Sequence, residues 1–219
     1  MAYFVIDESR LYLDERLMME EKLGTSKRER ILSAAISVLA ERGFHRTKIK
    51  DIAQEAGVAD GTIYLYFKNK DHLLIDLFEE VMSRALNLFE EALKDKERAD
   101  QQLEAFLLTH LRIVELEPEV AQIISVVLRQ SETFIGEYKN PFFSEYLNII
   151  AKILKQGMET GVFRADISIP IISRAIFGAM DELALAWLLS NKREDEVLEM
   201  AAQDVVTLLL DGLQIQSSE

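Results

Sequence analysis

The residues best suited to chemistry in this chain lie close together, between Thr47 and Lys70. Lys48 and Lys70 carry positive charge, Thr47 and Thr62 carry hydroxyls, and Tyr64 and Tyr66 carry phenols. Hydroxyls, ammonium groups and free backbone N–H groups are the donors that hold phosphate oxygens. Gly61 lets backbone approach closely, and Lys70 stands at the start of a following helix, whose N–H groups also favour an anion. Asp60 either caps the short helix it begins or accepts a hydrogen bond from a cytosine amino group. This is chemistry of docking on a duplex, not of breaking bonds. Elsewhere no carboxylate pair, nucleophile with its base or glycine-rich phosphate loop stands out, so an enzyme is not expected. There is no Cys, and His45, His72 and His110 have no ligand at metal-binding spacing, so neither metal nor cofactor is expected.

Three short helices are needed to position these groups. Ile31, Leu32, Ala35, Val38 and Leu39 recur at helical spacing from Ser26, and Gly43 stands where a terminating glycine belongs. Thr47 is placed to cap a second helix with Ile49, Ile52, Ala53 and Ala56 on its apolar side. Gly57 breaks that helix, and a third runs from Asp60 to Phe67. Ala53, Gly57 and Val58 occupy the small, turning and apolar positions of a helix-turn-helix, with Ile63 facing the core. Asn69 is placed to cap a long fourth helix that reaches about Leu93.

Charge agrees with that placement. The chain carries a net charge of −13, yet residues 25–72 hold nine Lys and Arg against six acids. A basic block on an acidic body is what a chain needs if one end docks on phosphate.

With only 9 Gly and 3 Pro in 219 residues, the rest reads as long helices. They are expected over 101–116, 119–131, 141–160, 168–190 and 195–213, the fourth of these capped by Ser168 with Pro170 in its first turn. The class is all-α, with about nine helices. No apolar run reaches the ~18 residues of a membrane span, and the opening MAYFVIDESR lacks the basic and apolar regions of a signal peptide. The expected location is the cytoplasm, with no membrane partner.

The run AGVADGTIYLYFKNKDHL, preceded by Ile52-Ala53, resembles the signature of TetR-family repressors. The family's usual capping Ser or Thr at the third helix is Ala59 here. The resemblance implies a homodimer on palindromic operator DNA, a ligand cavity in the helices that follow, and dimerisation through the helices near 168–190 and 195–213. It organises the chain as a leader over 1–24 (disordered, or a short extra helix), a DNA-binding domain over 25–72, and a ligand-binding and dimerisation domain over 73–219. Ala175, Gly178, Ala179 and Ala186 independently give the 168–190 helix the small residues that permit close helix approach. VVLRQS at 126–131 and IFGAMDEL at 176–183 are similar to the family's fatty-acid-degradation repressors, which implies a long-chain acyl-CoA effector. Phe106, His110, Val127, Phe143, Tyr146 and Ile150 are candidates to line its site or simply to form core. Arg129 and Gln130 are candidates to meet its polar end; the alternative for Arg129 is an ion pair with Glu132 or Glu137. Two other readings stay open. One is a drug-efflux regulator sensing lipophilic cations. The other is a helical adaptor, which leaves the Tyr/Lys/Thr cluster unexplained.

Overall fold

The structure, a computed structural model, describes residues 26–190 and 197–214. The leader over 1–24 lies outside the described residues. Among these residues there are ten α-helices and no strand, and an isolated antiparallel bridge joins Phe163 to Gln214. The chain forms two compact units, divided between Leu77 and Phe78.

The first unit holds α1 (Lys27–Arg46), α2 (Ile49–Glu55), α3 (Asp60–Ile63) and the start of α4 (Lys70–Leu93). Ser26 opens α1 with a capping box: its hydroxyl accepts from the Glu29 N–H, and the Glu29 carboxylate accepts from the Ser26 N–H, both at 3.2 Å. Gly43 adopts φ +72°, a left-handed turn that glycine makes without strain, and Phe44 beyond it folds into the core. Thr47 does not cap α2 as its position suggests. Its hydroxyl instead donates to the Gly43 carbonyl at 2.8 Å, and the Lys48 N–H is satisfied by the Asp51 carboxylate at 2.9 Å. Asn69 does cap α4, accepting from the His72 N–H at 2.9 Å. Ile31, Leu39, Ile52, Ile63, Leu73 and Leu74 are all fully buried here. Each contributes about 1.5–3 kcal/mol of transfer free energy.

The second unit holds the rest of α4 with α5 (Ala99–Leu116), α6 (Pro118–Gln122), α7 (Glu132–Gly136), α8 (Pro141–Glu159), α9 (Ile169–Leu189) and α10 (Val197–Leu213). α5 is central: α8, α9 and α10 all pack against it. The single helix expected over 119–131 is broken. After α6 the chain makes a π-helical turn, Ile123–Val127, then a 3₁₀ turn, Leu128–Gln130. Four β-branched residues (Ile123, Ile124, Val126, Val127) crowd this stretch and disfavour a regular helix. Ser131 then starts α7, accepting from the Phe134 N–H at 3.1 Å.

Gly161, at φ +72°, ends α8. The chain turns so that Phe163 lies over Gly157, and the Arg164 N–H donates to the Leu213 carbonyl at 2.7 Å, tying this loop to the end of α10. Ser168 precedes α9 without a side-chain bond, and Pro170 sits in the first turn. One side of α9 is buried through Ile176, Met180, Ala184 and Leu188, while Ile171 and Leu189 stand exposed. No described helix is long and apolar enough to cross a membrane.

Candidate nucleic-acid interface and effector region

α3 is one turn of helix, and its value lies in what it holds out. Ile63 and Phe67 are 0% and 2% exposed, and between them the chain continues as turns rather than as the helix expected to Phe67. The Leu65 N–H donates to the Thr62 carbonyl at 3.2 Å and the Phe67 N–H to the Ile63 carbonyl at 2.9 Å. Two buried anchors thus force the three residues between them outward. Tyr64, Leu65 and Tyr66 are 57%, 81% and 43% exposed. Leu65 was not singled out in the sequence. The available signal was an apolar side chain in a run where both flanking positions are aromatic and no helical period assigns it to the core.

Of the other residues assigned to DNA, Lys48, Asp60 and Gly61 are exposed and Thr62 is half-buried. A Cβ placed on Gly61 would meet nothing within 4 Å, so backbone there is open to a close approach. α3 begins after Ala59 with no side-chain cap, so Asp60 is not consumed as one. Two residues also bond within the fold. Thr47 is 1% exposed and bonded to the end of α1. Lys70 donates through Nζ to the Phe44 carbonyl at 2.6 Å and the Thr47 carbonyl at 3.0 Å, with its ammonium 4.1 Å from the centre of the Phe44 ring. Burial holds its pKa below the usual lysine value. Carbonyls at the end of a helix lack intrahelical donors, and Lys70 satisfies them. It is a clamp on the α1–α2 turn, with at most one N–H to spare for a phosphate.

In the second unit, several of the candidate effector residues come together around one part-buried polar pair. The Tyr146 hydroxyl of α8 lies 3.0 Å from Nδ1 of His110 on α5. Phe89 of α4 meets Phe106 at 4.5 Å between ring centres and Tyr146 at 5.7 Å. Phe177 of α9 meets Phe143 at 4.8 Å and Tyr146 at 5.6 Å. Residues of α4, α5 and α9 therefore converge on Tyr146 of α8. Ile150, 0% exposed, is in the same core, whereas Val127 is buried outside it. Phe89 and Phe177 were not read from sequence as part of this region, because which face of a long apolar helix turns toward α8 is not encoded in its period alone. Gln130 is half-buried. Arg129 pairs with neither Glu132 nor Glu137; its partner is Asp181 of α9, at 3.0 Å.

Burial pushes the His110 pKa down from 6.5 to about 4, so at neutral pH the imidazole is uncharged. The folded value lies below the unfolded one, so the unfolded chain takes up the proton first as pH falls. Stability is therefore lost between pH 6.5 and about 4, by roughly 2–3 kcal/mol. Urea unfolding of the second unit near neutral pH and near pH ~4.5 should show this loss. In His110→Gln the loss should shrink by that amount, and an unchanged pH dependence would refute the assignment. Among the described residues no three His, Cys, Asp or Glu side chains are grouped to hold a metal ion.

Residues 31–77 match the family model for bacterial regulatory proteins of the tetR family, and residues 78–212 match that for the C-terminal region of YsiA-like proteins. The fatty acid metabolism regulator protein of Bacillus subtilis is 35% identical over 183 residues, covering 84% of this chain and 93% of that protein. This chain belongs to the TetR family. It is a DNA-binding transcriptional repressor, and its family and relatives are regulators rather than enzymes. Two solved structures share the fold of this TetR-family regulator. The FadR regulator of Bacillus subtilis in complex with stearoyl-CoA gives a TM-score of 0.78 at 35% identity, covering 84% of this chain and 97% of that one. The fatty acid degradation regulator FadR of Bacillus halodurans gives 0.79 at 33% identity, covering 85% and 95%.

Proposed function

We propose that this TetR-family repressor binds a palindromic operator as a homodimer and leaves it when a long-chain acyl-CoA enters the aromatic interior between α4, α5, α8 and α9. The observation that carries this is the convergence of Phe89, Phe106 and Phe177 on Tyr146, with Phe143 packed against Phe177. It supplies an apolar bed for an acyl chain with the Tyr146–His110 hydrogen bond beside it, and the similar FadR of Bacillus subtilis has been solved with stearoyl-CoA.

On the DNA side, Lys48, Thr62, Tyr64 and Tyr66 supply phosphate donors, Gly61 the close backbone approach, and Asp60 an acceptor for a cytosine amino group. Leu65, too exposed to be core, suits the C5-methyl of a thymine. For assembly, α9 and α10 carry Ile171, Leu189, Met200 and Leu208 at 61–72% exposure. An apolar set of that kind is suited to an isologous contact with a second copy. Coupling between effector and operator has a covalent route in α4, which gives Leu73, Leu74 and Leu77 to the first unit and Phe89 to the second. By linkage, effector and operator weaken one another by the same factor.

The test is a titration of the operator complex with saturated acyl-CoAs of increasing length, beside a lipophilic cationic dye. Release should strengthen with chain length, since each buried methylene is worth about 0.8 kcal/mol. Release by the dye alone would overturn the acyl-CoA effector in favour of a drug sensor.

A further inference from the structure

Among the described residues of the first unit, Tyr64, Leu65 and Tyr66 are the exposed large apolar side chains. Phe67 anchors their turn from within, and the Arg28 guanidinium lies 5.8 Å from the centre of its ring. The first turn of α1 therefore stands beside the Tyr64–Tyr66 turn. Lys27 and Arg30 are exposed on that first turn, and Lys68 is exposed just past Phe67. An apolar patch with basic groups about it fits an acidic partner that also carries apolar side chains.

The chain carries such a partner in its own leader, which joins the first unit just before Ser26. Residues 1–24 hold six acids against three bases. Three times an apolar run is followed at once by two acids: Tyr3–Ile6 by Asp7 and Glu8, Leu11–Leu13 by Asp14 and Glu15, and Leu17–Met19 by Glu20 and Glu21. Anionic groups interleaved with apolar ones are also what a duplex presents, as phosphates and thymine methyls. The leader lies outside both stretches that match family models, 31–77 and 78–212. We propose that the leader docks on the Tyr64–Tyr66 face of its own chain and competes there with the operator. The proposal rests on the assignment of that face to DNA. Reach is no obstacle: residues 1–24 span up to ~80 Å when extended, against a radius of gyration of about 10 Å for a unit of this size. A short tether gives an effective concentration on the order of millimolar, so weak docking is enough. A face left open in about one molecule in three to one in ten lowers operator affinity about threefold to tenfold at each half-site.

The acids of the leader would also repel DNA without any docking, so the decisive variant keeps every charge. Phe4→Ser, Leu11→Ser and Leu17→Ser together change one apolar residue in each run. Fluorescence anisotropy of the full chain, on a palindromic duplex selected with the wild type, should show the triple variant binding about tenfold more tightly or better, the gain being made at both half-sites. Hydrogen exchange of the free proteins should be about threefold to tenfold faster over 61–67 in the variant. In the wild type, adding the duplex should slow exchange over 61–67 and speed it over the leader. Equal thermal midpoints would show that the variant folds. If affinity and exchange are both unchanged in the variant, charge repulsion is all the leader exerts, and docking is overturned while the operator face stands. Protection over 61–67 that fades on dilution would assign the cover to a second copy and overturn the intramolecular contact. If the duplex leaves 61–67 unprotected, the assignment of that face to DNA is wrong, and the competition falls with it.

Discussion

Gly178→Trp should convert the protein to a monomer and weaken operator binding by about a thousandfold or more, without unfolding the chain. A Cβ added at Gly178 meets nothing within 4 Å in its own protomer, so the isolated chain has room for the indole. The cost appears only if the α9 of a second copy packs there, where close helix approach needs small residues. A lone protomer reaches one half-site of a palindrome and loses most of the difference between specific and non-specific binding, which is at least about 10³. Leu208→Arg, on α10 at 72% exposure, should give the same result by burying a charge in the contact. Light scattering reads the mass, fluorescence anisotropy reads the operator affinity, and urea midpoints report folding. A dimer with undiminished affinity in both variants would remove α9 and α10 from the interface.

The second large effect belongs to the core of the second unit, where Gly157 and Phe163 act as one feature. The Phe163 ring lies so close to Gly157 that a Cβ there would overlap it, and Phe163 is 1% exposed. Phe163→Ala should therefore destabilise the unit by about 3–5 kcal/mol through lost burial and a cavity. Gly157→Ala should cost about 1–3 kcal/mol, because the ring must leave its place or the α8 backbone must shift. The decisive measurement is the double variant. With the ring gone, the same Gly157→Ala change sits in a helix where alanine is favoured over glycine by about 1 kcal/mol, so its sign should reverse. A thermal or urea melt of the four proteins closes this cycle. If Gly157→Ala costs the same with and without the ring, the contact with Phe163 is not what requires glycine there.

How far the molecule was legible in its residues differs between its two units. In the first, nearly every determinant is local. Gly43, Gly57 and Asn69 act within a few residues of themselves, and the buried positions of α1 and α2 follow the helical period. That is why an all-α helix-turn-helix could be read from Ser26 to Leu73. Where local reasoning failed, a competing local partner won: Asp51 took the role expected of Thr47 at α2. The carbonyl contacts of Lys70 were hidden for another reason. Its partners, the carbonyls of Phe44 and Thr47, are 26 and 23 residues away, and no spacing rule pairs a lysine with carbonyls at that distance.

In the second unit the helices themselves were largely visible, but not what they face. The apolar period of α5 and α8 marks Phe106, Tyr146 and Ile150 as inward, yet inward meets different neighbours in different packings. Residue types and order therefore determined the class, the helix-turn-helix, and the breaks at glycine and proline. Tertiary structure alone decided that Tyr146 meets His110, that Phe163 covers Gly157, and that Arg129 is held by Asp181. These contacts join residues far apart in the chain, and they form only after whole helices have buried their apolar faces. The free energy that chooses among such packings comes from many small contacts summed over several helices, and no short stretch of sequence contains that sum.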